Sequence, residues 1–316
     1  MNQEKLPLIV LTGPTAVGKT ALSIKLAKAV GGEIISADSM QVYRHMDIGS
    51  AKIRPDEMEG VPHHLIDVLD PSEEFNVVLF QKLAKEAIAD ICSRKKIPIL
   101  AGGTGFYIQS VLYDIDFTQT EEDSGYRKQL EELAKEKGPG ALHEMLKEAD
   151  PKAAEEIHAN NVKRVIRALE FHAQTGERIS EHNAAEREKR SVYNSRYFVL
   201  TDDRARMYER IDRRVDLMLQ AGLVAEVERL KQMGLHKGMV SMQGLGYKEI
   251  LSYLEGEYDL ERAVYLIKRD TRHFAKRQLT WFKREKDVIW VDRQQFLDEN
   301  SILKFLIEQT ETLRYV

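Results

Sequence analysis

The feature that most constrains this chain is a glycine-rich loop between a short apolar run and a helical segment. Residues 13–20 read Gly-Pro-Thr-Ala-Val-Gly-Lys-Thr and fit the pattern G-x-x-x-x-G-K-[ST]. The apolar run Leu8–Leu11 precedes the loop, and a helical pattern from Lys19 to Val30 follows it. Such a loop turns successive backbone N–H groups toward phosphate oxygens, and the following helix adds its positive N-terminal end. The loop therefore predicts a phosphate-binding site at the end of a buried strand.

Strand-like and helix-like segments alternate after this loop. Strands are predicted at Glu33–Ala37, Leu65–Leu69 and Ile97–Ala101, and a long amphipathic helix is predicted at Phe75–Ser93. Alternation of this kind is typical of a parallel sheet with helices on both faces. The predicted fold class is therefore α/β, a P-loop NTPase-like parallel sheet flanked by helices.

The middle of the chain differs, because it is polar, charged and helical in pattern without a convincing strand. We interpret residues 118–190 as an all-helical insertion domain. The first part of the core then comprises residues 1–117, and the second part comprises residues 191–316.

The second part returns to the pattern of the core. Strands are predicted at Tyr197–Leu200 and Val288–Val291. Helical patterns run from Arg204 to Gln232, from Lys248 to Leu254 and from Leu260 to Arg284.

Charge is segregated along the chain. The formal net charge is −4, which by itself argues weakly against a nucleic-acid partner. From Arg262 to Lys286, however, nine lysines and arginines stand against two acids. A local basic segment suits a polyanion, although a solvated helix face explains the same pattern.

Cysteine content and hydropathy narrow the class of protein. Cys92 is the single cysteine, which excludes a disulfide framework and a zinc site built on paired cysteines. The N-terminal residues lack the pattern of a signal peptide, and no apolar stretch is long enough to span a bilayer. We expect a cytoplasmic protein that does not contact the membrane. For His63 and His64 a structural or substrate-shaping role is favoured over metal binding, because adjacent side chains on a strand point apart and no third ligand is spaced with them.

The loop predicts phosphate binding but does not specify which phosphate compound is bound. All eight loop residues are candidates for phosphate binding: Gly13, Pro14, Thr15, Ala16, Val17, Gly18, Lys19 and Thr20. Lys19 supplies a point charge for the outer phosphate, and the Thr20 hydroxyl is a candidate Mg²⁺ ligand. ATP, GTP and an isoprenoid pyrophosphate all fit these groups. Asp38, at the end of the next predicted strand, faces a second substrate in our interpretation; a loop hydrogen bond is the alternative.

Several ordered motifs make the chain resemble the bacterial tRNA dimethylallyltransferases. Besides the loop, they include Ser-Ala-Asp-Ser-Met-Gln-Val-Tyr-Arg at 36–44 and Ala-Lys-Arg-Gln-Leu-Thr-Trp-Phe at 275–282. The remaining motifs are residues 46–52, 61–67, 101–107, 160–170 and 243–249. The resemblance covers almost the whole chain except the acidic middle and the last two dozen residues.

This resemblance implies transfer of a dimethylallyl group from dimethylallyl pyrophosphate to N6 of the adenosine 3′-adjacent to the anticodon. Asp38 is then the general base, Thr20 holds Mg²⁺, and Arg210 and Arg214 grip pyrophosphate, with Arg214 the first choice. A salt-bridged surface face is the alternative for this arginine pair. The candidates for contact with the anticodon stem-loop are Asp38, Ser39, Met40, Gln41, Thr104, Arg127, Lys163, Arg164, Arg167, Gln243 and Lys248.

Two other functions remain open at this level. Transfer of the prenyl group to a free adenine nucleotide needs neither the insertion nor the basic segment. A P-loop kinase that phosphorylates a small molecule with ATP shares the loop but leaves the same two features unexplained. We expect the chain to act as a monomer.

Overall fold

The computed structural model describes residues 5–117 and 124–313. The chain divides into two compact units. The first comprises Met1–Leu112 and Val192–Val316, and the second is Tyr113–Ser191.

The first unit contains a parallel six-stranded sheet with helices packed against it. Its strands are β1 (Pro7–Thr12), β2 (Gly32–Ala37), β3 (His63–His64), β4 (Ile97–Gly102), β5 (Asn194–Thr201) and β6 (Val288–Asp292), in the spatial order β3-β2-β4-β1-β5-β6. Strand β1 is central and buried at every position, as expected for a strand covered on both faces. The predicted α/β fold class is confirmed.

The helices follow in chain order through both units. They are α1 (Lys19–Val30), α2 (Val77–Ser93), α3 (Gly105–Leu112), α4 (Ser124–Lys137), α5 (Pro139–Ala149), α6 (Pro151–Glu156), α7 (Val162–Thr175), α8 (Ile179–Glu188), α9 (Arg204–Gln220), α10 (Leu223–Gln232), α11 (Tyr247–Leu254), α12 (Leu260–Phe282) and α13 (Glu299–Thr310). None of the helices in the described residues is both long enough and apolar enough to cross a membrane.

The second unit is built from α4 to α8 and has no strand among its described residues. Leu130, Leu142, Leu146, Val165 and Leu169 form the centre of its own apolar core. Buried Asp150 joins two of its segments, since its carboxylate accepts hydrogen bonds from the Ser180 N–H and hydroxyl at 2.8 and 2.7 Å. A buried carboxylate bonded in this way fixes the start of α6 and of α8.

The prediction of a strand at Leu65–Leu69 is wrong. The short strand β3 lies just before it, and only Leu69 makes an isolated bridge, to Tyr43. Leu65 and Asp67 have positive φ values of 63° and 54°, which an extended strand does not allow. Asp67 instead accepts a hydrogen bond at 2.5 Å from the buried ammonium of Lys52.

The helix predicted over Arg204–Gln232 is two helices. It breaks between α9 and α10 at Gly222, whose φ of 100° lies in the left-handed region. Glycine adopts this conformation without a Cβ clash, so the chain turns there and starts α10 in a new direction.

Candidate active site

The carboxyl ends of the parallel strands bring the main candidates to one edge of the sheet. The phosphate loop follows β1, Asp38 follows β2, Thr104 follows the end of β4, and Asp202 follows β5. In open α/β sheets this edge is where ligands bind.

The phosphate loop closes around the side chain of Lys19. Its ammonium donates hydrogen bonds to the carbonyl oxygens of Gly13 at 2.9 Å and Pro14 at 2.8 Å. Gly13 has φ of 145°, and a β-carbon there would lie 2.5 Å from the Leu200 carbonyl oxygen. Gly18, with φ of 94°, precedes the first turn of α1. The loop thus needs glycine at both positions to adopt a shape in which backbone N–H groups converge.

Two cations and one carboxylate interact beside this loop. The pKa of Lys19 is lowered to about 7, first by burial and then by the Arg214 guanidinium, while Asp38 opposes the shift. Burial also lowers the pKa of Arg214, again opposed by Asp38. Two desolvated cations facing a single carboxylate leave an excess of positive charge that an anion would relieve.

Asp38 uses one of its two carboxylate oxygens to hold its own loop. Oδ1 accepts hydrogen bonds from the N–H groups of Met40 at 2.8 Å and Gln41 at 3.3 Å. Oδ2 accepts none from the described residues. The loop hydrogen bond considered as an alternative to a functional role therefore exists, but it leaves an oxygen available to a ligand.

The two predicted arginines lie on α9 in different environments. Arg210 donates from Nε to the Ala16 carbonyl oxygen at 2.8 Å and from Nη2 to Asp202 at 2.7 Å. The Asp202 side chain is 4% exposed, so the ion pair ties Arg210 to the end of β5 while the bond to Ala16 ties it to the phosphate loop. Arg214 makes no hydrogen bond or salt bridge with the described residues and interacts electrostatically with Lys19 and Asp38. Arg214 is thus the arginine left available to an anion.

The turn after β4 approaches Asp38 through its backbone. A β-carbon at Gly102 would overlap the Ala37 carbonyl, and the Thr104 N–H donates to that same oxygen at 3.2 Å. Thr104 directly precedes α3, and its half-buried hydroxyl makes no hydrogen bond with the described residues. The Thr104 N–H thus bonds to the residue that directly precedes Asp38.

Comparison with known proteins identifies the family. Residues 41–285 match the family described as IPP transferase, and residues 6–75 match the one described as Isopentenyl transferase. The chain belongs to the IPP transferase family. A relative from Lachnoclostridium phytofermentans named tRNA dimethylallyltransferase is 63% identical over 302 residues, covering 96% of both chains. One from Carboxydothermus hydrogenoformans with the same name is 55% identical over 285 residues, covering 90% of this chain and 91% of that one.

Solved structures of IPP transferase relatives agree with the fold. The tRNA isopentenylpyrophosphate transferase from Bacillus halodurans is 44% identical with a TM-score of 0.72, and the match covers 98% of both chains. A eukaryotic dimethylallyltransferase described as acting on tRNA is 31% identical with a TM-score of 0.81, covering 98% of this chain and 81% of that one. The chain is therefore an enzyme of the prenyltransferase class with the fold of this family.

A second group of residues in this IPP transferase was missed by sequence reasoning. The carboxylate of Glu226, 1% exposed, accepts hydrogen bonds from the N–H groups of Asp47, Ile48 and Gly49 at 2.8–3.0 Å. It also accepts one from the Tyr247 hydroxyl at 2.8 Å. An acid within a helix carries no signal of such a role, because its three backbone partners lie more than 170 residues away.

The Glu226 network extends toward the loop that carries Asp38. A β-carbon at Gly244 would overlap the sulfur of Met40, and one at Gly49 would lie 2.6 Å from the Tyr247 ring. Gly49 is thus explained by its packing against Tyr247, and Gly244 by its packing against Met40. Because Met40 N–H bonds to Asp38, this packing helps to fix the position of the carboxylate.

The remaining tRNA candidates of the first unit are Ser39, Gln41, Gln243 and Lys248. Ser39 and Gln41 are half-buried beside Asp38, and Gln41 Nε2 donates to the Ala51 carbonyl at 3.4 Å. Gln243 donates to the Lys237 carbonyl, and Lys248 lies 3.4 Å from Glu249.

The candidates of the second unit fall into two kinds. Lys163 and Arg164 are exposed at the start of α7, and Arg167 is half-buried on the same helix. Arg127 makes a bidentate pair with Glu170 at 2.9 and 2.8 Å, and the Glu170 side chain is 2% exposed. Arg127 therefore neutralises a buried carboxylate, a structural demand that competes with any contact to RNA.

The basic segment overlaps α12, and the cations of this helix differ before and after His273. Before it, Lys268 pairs with Asp216 at 2.6 Å and Arg272 with Asp212 at 2.5 Å. Beyond them lies a surface concavity of about 400 Å³, here called the α12 groove, lined by His273, Lys276, Arg277, Thr280, Trp281 and Arg284. Lys276, Arg277 and Arg284 are exposed and make no ion pair with the described residues. The groove is therefore the part of α12 that offers its charge to a partner.

Proposed function

We propose that this chain transfers a dimethylallyl group from dimethylallyl pyrophosphate to N6 of the adenosine 3′-adjacent to the anticodon of tRNA. The observation that carries the proposal is the excess positive charge of Lys19 and Arg214 around the single carboxylate of Asp38, at the mouth of the phosphate loop. The site thus combines groups for an anionic leaving group with one base.

The cations of the site stabilise the pyrophosphate leaving group. As the allylic C–O bond breaks, its electron pair remains on pyrophosphate and the prenyl carbon gains cationic character. Backbone N–H groups of the loop, the Lys19 ammonium and the Arg214 guanidinium stabilise this growing negative charge. Arg210 acts differently, because its bond to the Ala16 carbonyl holds the loop in shape.

Asp38 orients the nucleophile, adenine N6, and accepts its proton. The lone pair of adenine N6 is delocalised into the ring, so the amine must be oriented toward the prenyl carbon. Asp38 Oδ2 accepts a hydrogen bond from N6–H. The N6–C bond forms as the C–O bond breaks, and the released proton passes to the carboxylate.

A divalent cation, Mg²⁺, fits the residues at the start of α1. The Thr20 hydroxyl is exposed there and makes no hydrogen bond with the described residues. The described residues contain no cluster of three His, Cys, Asp or Glu suited to a metal, and Mg²⁺ commonly takes most of its ligands from substrate phosphates and water. A cation held there would neutralise part of the charge on the pyrophosphate.

Recognition of RNA follows from charge and accessibility. The α12 groove offers cations to the backbone of the anticodon stem-loop, and Lys163 and Arg164 do the same from the insertion. The adenosine leaves the stack to reach Asp38, which is inexpensive in a single-stranded loop. Thr104 and Gln41 border the position that the base then occupies.

One assay tests this function against its two alternatives. Purified protein receives dimethylallyl pyrophosphate labelled in the prenyl group, Mg²⁺ and an anticodon stem-loop with adenosine or guanosine 3′ of the anticodon. We expect label on the adenosine RNA alone. Label on free AMP but not on RNA would instead support the nucleotide prenyltransferase, and ATP consumption with a metabolite library would support the kinase. Asp38→Asn is the matched control, because it keeps the side chain's size and removes its basicity.

A further inference from the structure

Gln278 joins the phosphate loop to the turn beside Asp38. It lies on the buried face of α12 and is 7% exposed. Its Oε1 accepts a hydrogen bond from the Thr15 N–H at 2.9 Å, and its Nε2 donates one to the Gly103 carbonyl at 2.9 Å. A single amide therefore bridges the loop after β1 and the turn after β4, with each half of the amide used once.

The close approach of α12 requires glycine in that turn. A β-carbon at Gly103 would overlap Gln278 Nε2, and one at Gly105 would overlap the indole of Trp281. Gln278 and Trp281 are three positions apart, so they lie on the same face of the helix. The ring of Phe106 also meets Trp281 edge to face, with centroids 6.2 Å apart. Helix α12 thus holds the 103–106 turn through both a polar and an aromatic contact.

The same helix has a second, outward face. Lys276 and Arg277 of the α12 groove directly precede Gln278 and are exposed, whereas Gln278 is buried. A partner bound to Lys276 and Arg277 is therefore held at a fixed position relative to the phosphate loop, because Gln278 of the same helix bonds to that loop.

We infer that Gln278 is a positioning residue for the transfer reaction, which rests on the proposed function. It fixes the distance between the phosphate loop, which holds pyrophosphate, and the Thr104 turn, where the adenine binds. Because Gln278 is part of α12, it also fixes the position of RNA bound to α12 relative to both of these segments. Gln278 does not touch the reacting atoms. Its loss leaves both substrates bound but badly aligned, and a misplacement of about 1 Å can cost about 100-fold in rate.

The replacement Gln278→Glu gives a readout that general destabilisation does not. An ionised glutamate still accepts from the Thr15 N–H but repels the Gly103 carbonyl, whereas a protonated one both accepts and donates as glutamine does. We expect kcat of this variant, divided by that of the wild type, to rise at least tenfold from about pH 8 to about pH 5.5, because a buried carboxyl protonates above its ordinary pKa. Gln278→Met should have low kcat at every pH. Gln232→Glu, at an exposed position on α10, is the charge-matched control and should follow the wild type.

A double-mutant cycle with Gly103→Ala tests the geometry independently. Gly103 does not have a positive φ, so alanine is allowed by the backbone and acts only by displacing Gln278. We expect the double variant Gly103→Ala, Gln278→Ala to have a kcat no lower than the poorer single variant, as for two changes that break one contact. Thermal melts at each pH restrict the comparison to folded protein.

A pH-independent ratio for folded Gln278→Glu, or additive effects in the cycle, would overturn the inference. Absence of label transfer by the wild type is a different failure, since it removes the proposed function itself. A change in KM for RNA with kcat unaltered would likewise contradict positioning and assign Gln278 to binding.

Discussion

The phosphate loop and the α12 groove are both cationic, yet their cations are held in opposite ways. Lys19 is enclosed by carbonyl oxygens of its own loop, and burial lowers its pKa to about 7. Lys276, Arg277 and Arg284 are exposed and make no ion pair among the described residues. Enclosed charge acts on one ligand in one geometry, whereas exposed charge attracts a polyanion over a wide range of positions.

We therefore expect the phosphate loop to determine the rate of transfer and the α12 groove to determine the affinity for RNA. Variants at the loop edge should lower kcat and respond little to salt, whereas variants in the groove should weaken RNA binding in a salt-dependent way.

The largest effect is expected at the carboxylate between the two cations. Asp38→Ala removes the group that orients N6 and takes its proton, so kcat should fall by about 10²–10⁴-fold. RNA affinity should change little, because the groove and the insertion are intact. Single-turnover transfer and filter binding measure the two quantities separately. Retained turnover would remove Asp38 from the chemistry and leave it only its hydrogen bonds to Met40 and Gln41.

The next effect distinguishes the two arginines of α9. Arg214→Ala removes a cation that makes no hydrogen bond with the described residues, and kcat should fall by about 10²–10³-fold with the melting temperature retained. Arg210→Ala leaves Asp202 as a buried carboxylate without its salt-bridge partner, so that variant should lose thermal stability as well. Parallel melting and rate measurements decide the assignment. Equal loss of stability in both variants would contradict a free Arg214.

The enclosed lysine predicts a pH dependence of intermediate size. With a pKa near 7, Lys19 is charged below this pH and neutral above it in the free enzyme. Because pyrophosphate needs the charged form, kcat/KM for the donor should fall about tenfold per pH unit above about pH 7. At saturating donor, the bound anion restores the charge, so kcat should stay flat over the same range.

Lys19→Arg is the control for that titration. Arginine keeps its charge throughout, so its kcat/KM should lack the decline even if its absolute value is lower. Since both enzymes use the same donor, the ratio of their profiles cancels the donor's own ionisation. A wild-type profile parallel to that of Lys19→Arg would contradict the lowered pKa.

The fold could be predicted where local pattern and tertiary structure agree. The loop at 13–20, α1 and the strand before Asp38 follow from glycine positions and apolar runs, and the structure has them there. The prediction of a strand at Leu65–Leu69 was wrong. Asp67 pairs with Lys52 and has a positive φ, and an apolar pattern reveals neither feature.

The supporting residues of the site could not be predicted for a related reason. Gln278 bonds to Thr15 across 263 positions, and Glu226 bonds to the 47–49 segment, also from a distant part of the sequence. Periodicity reports on neighbours along a helix or strand, so it finds residues that line the sheet edge but not those that hold them from another helix.

The smallest effect is expected in the groove and concerns salt. Replacing Lys276 and Arg277 with alanine should reduce the slope of log affinity against log salt by about 0.7 for each RNA phosphate that is no longer neutralised, with kcat at saturating RNA nearly unchanged. The double replacement of Lys268 and Arg272 with alanine is the matched control, because these two cations already pair with Asp216 and Asp212 and should alter the slope less. Equal slopes for the two variants would mean that pairing with the acids of α9 does not decide which cations of α12 meet the RNA, and the contrast along α12 would then have no functional content.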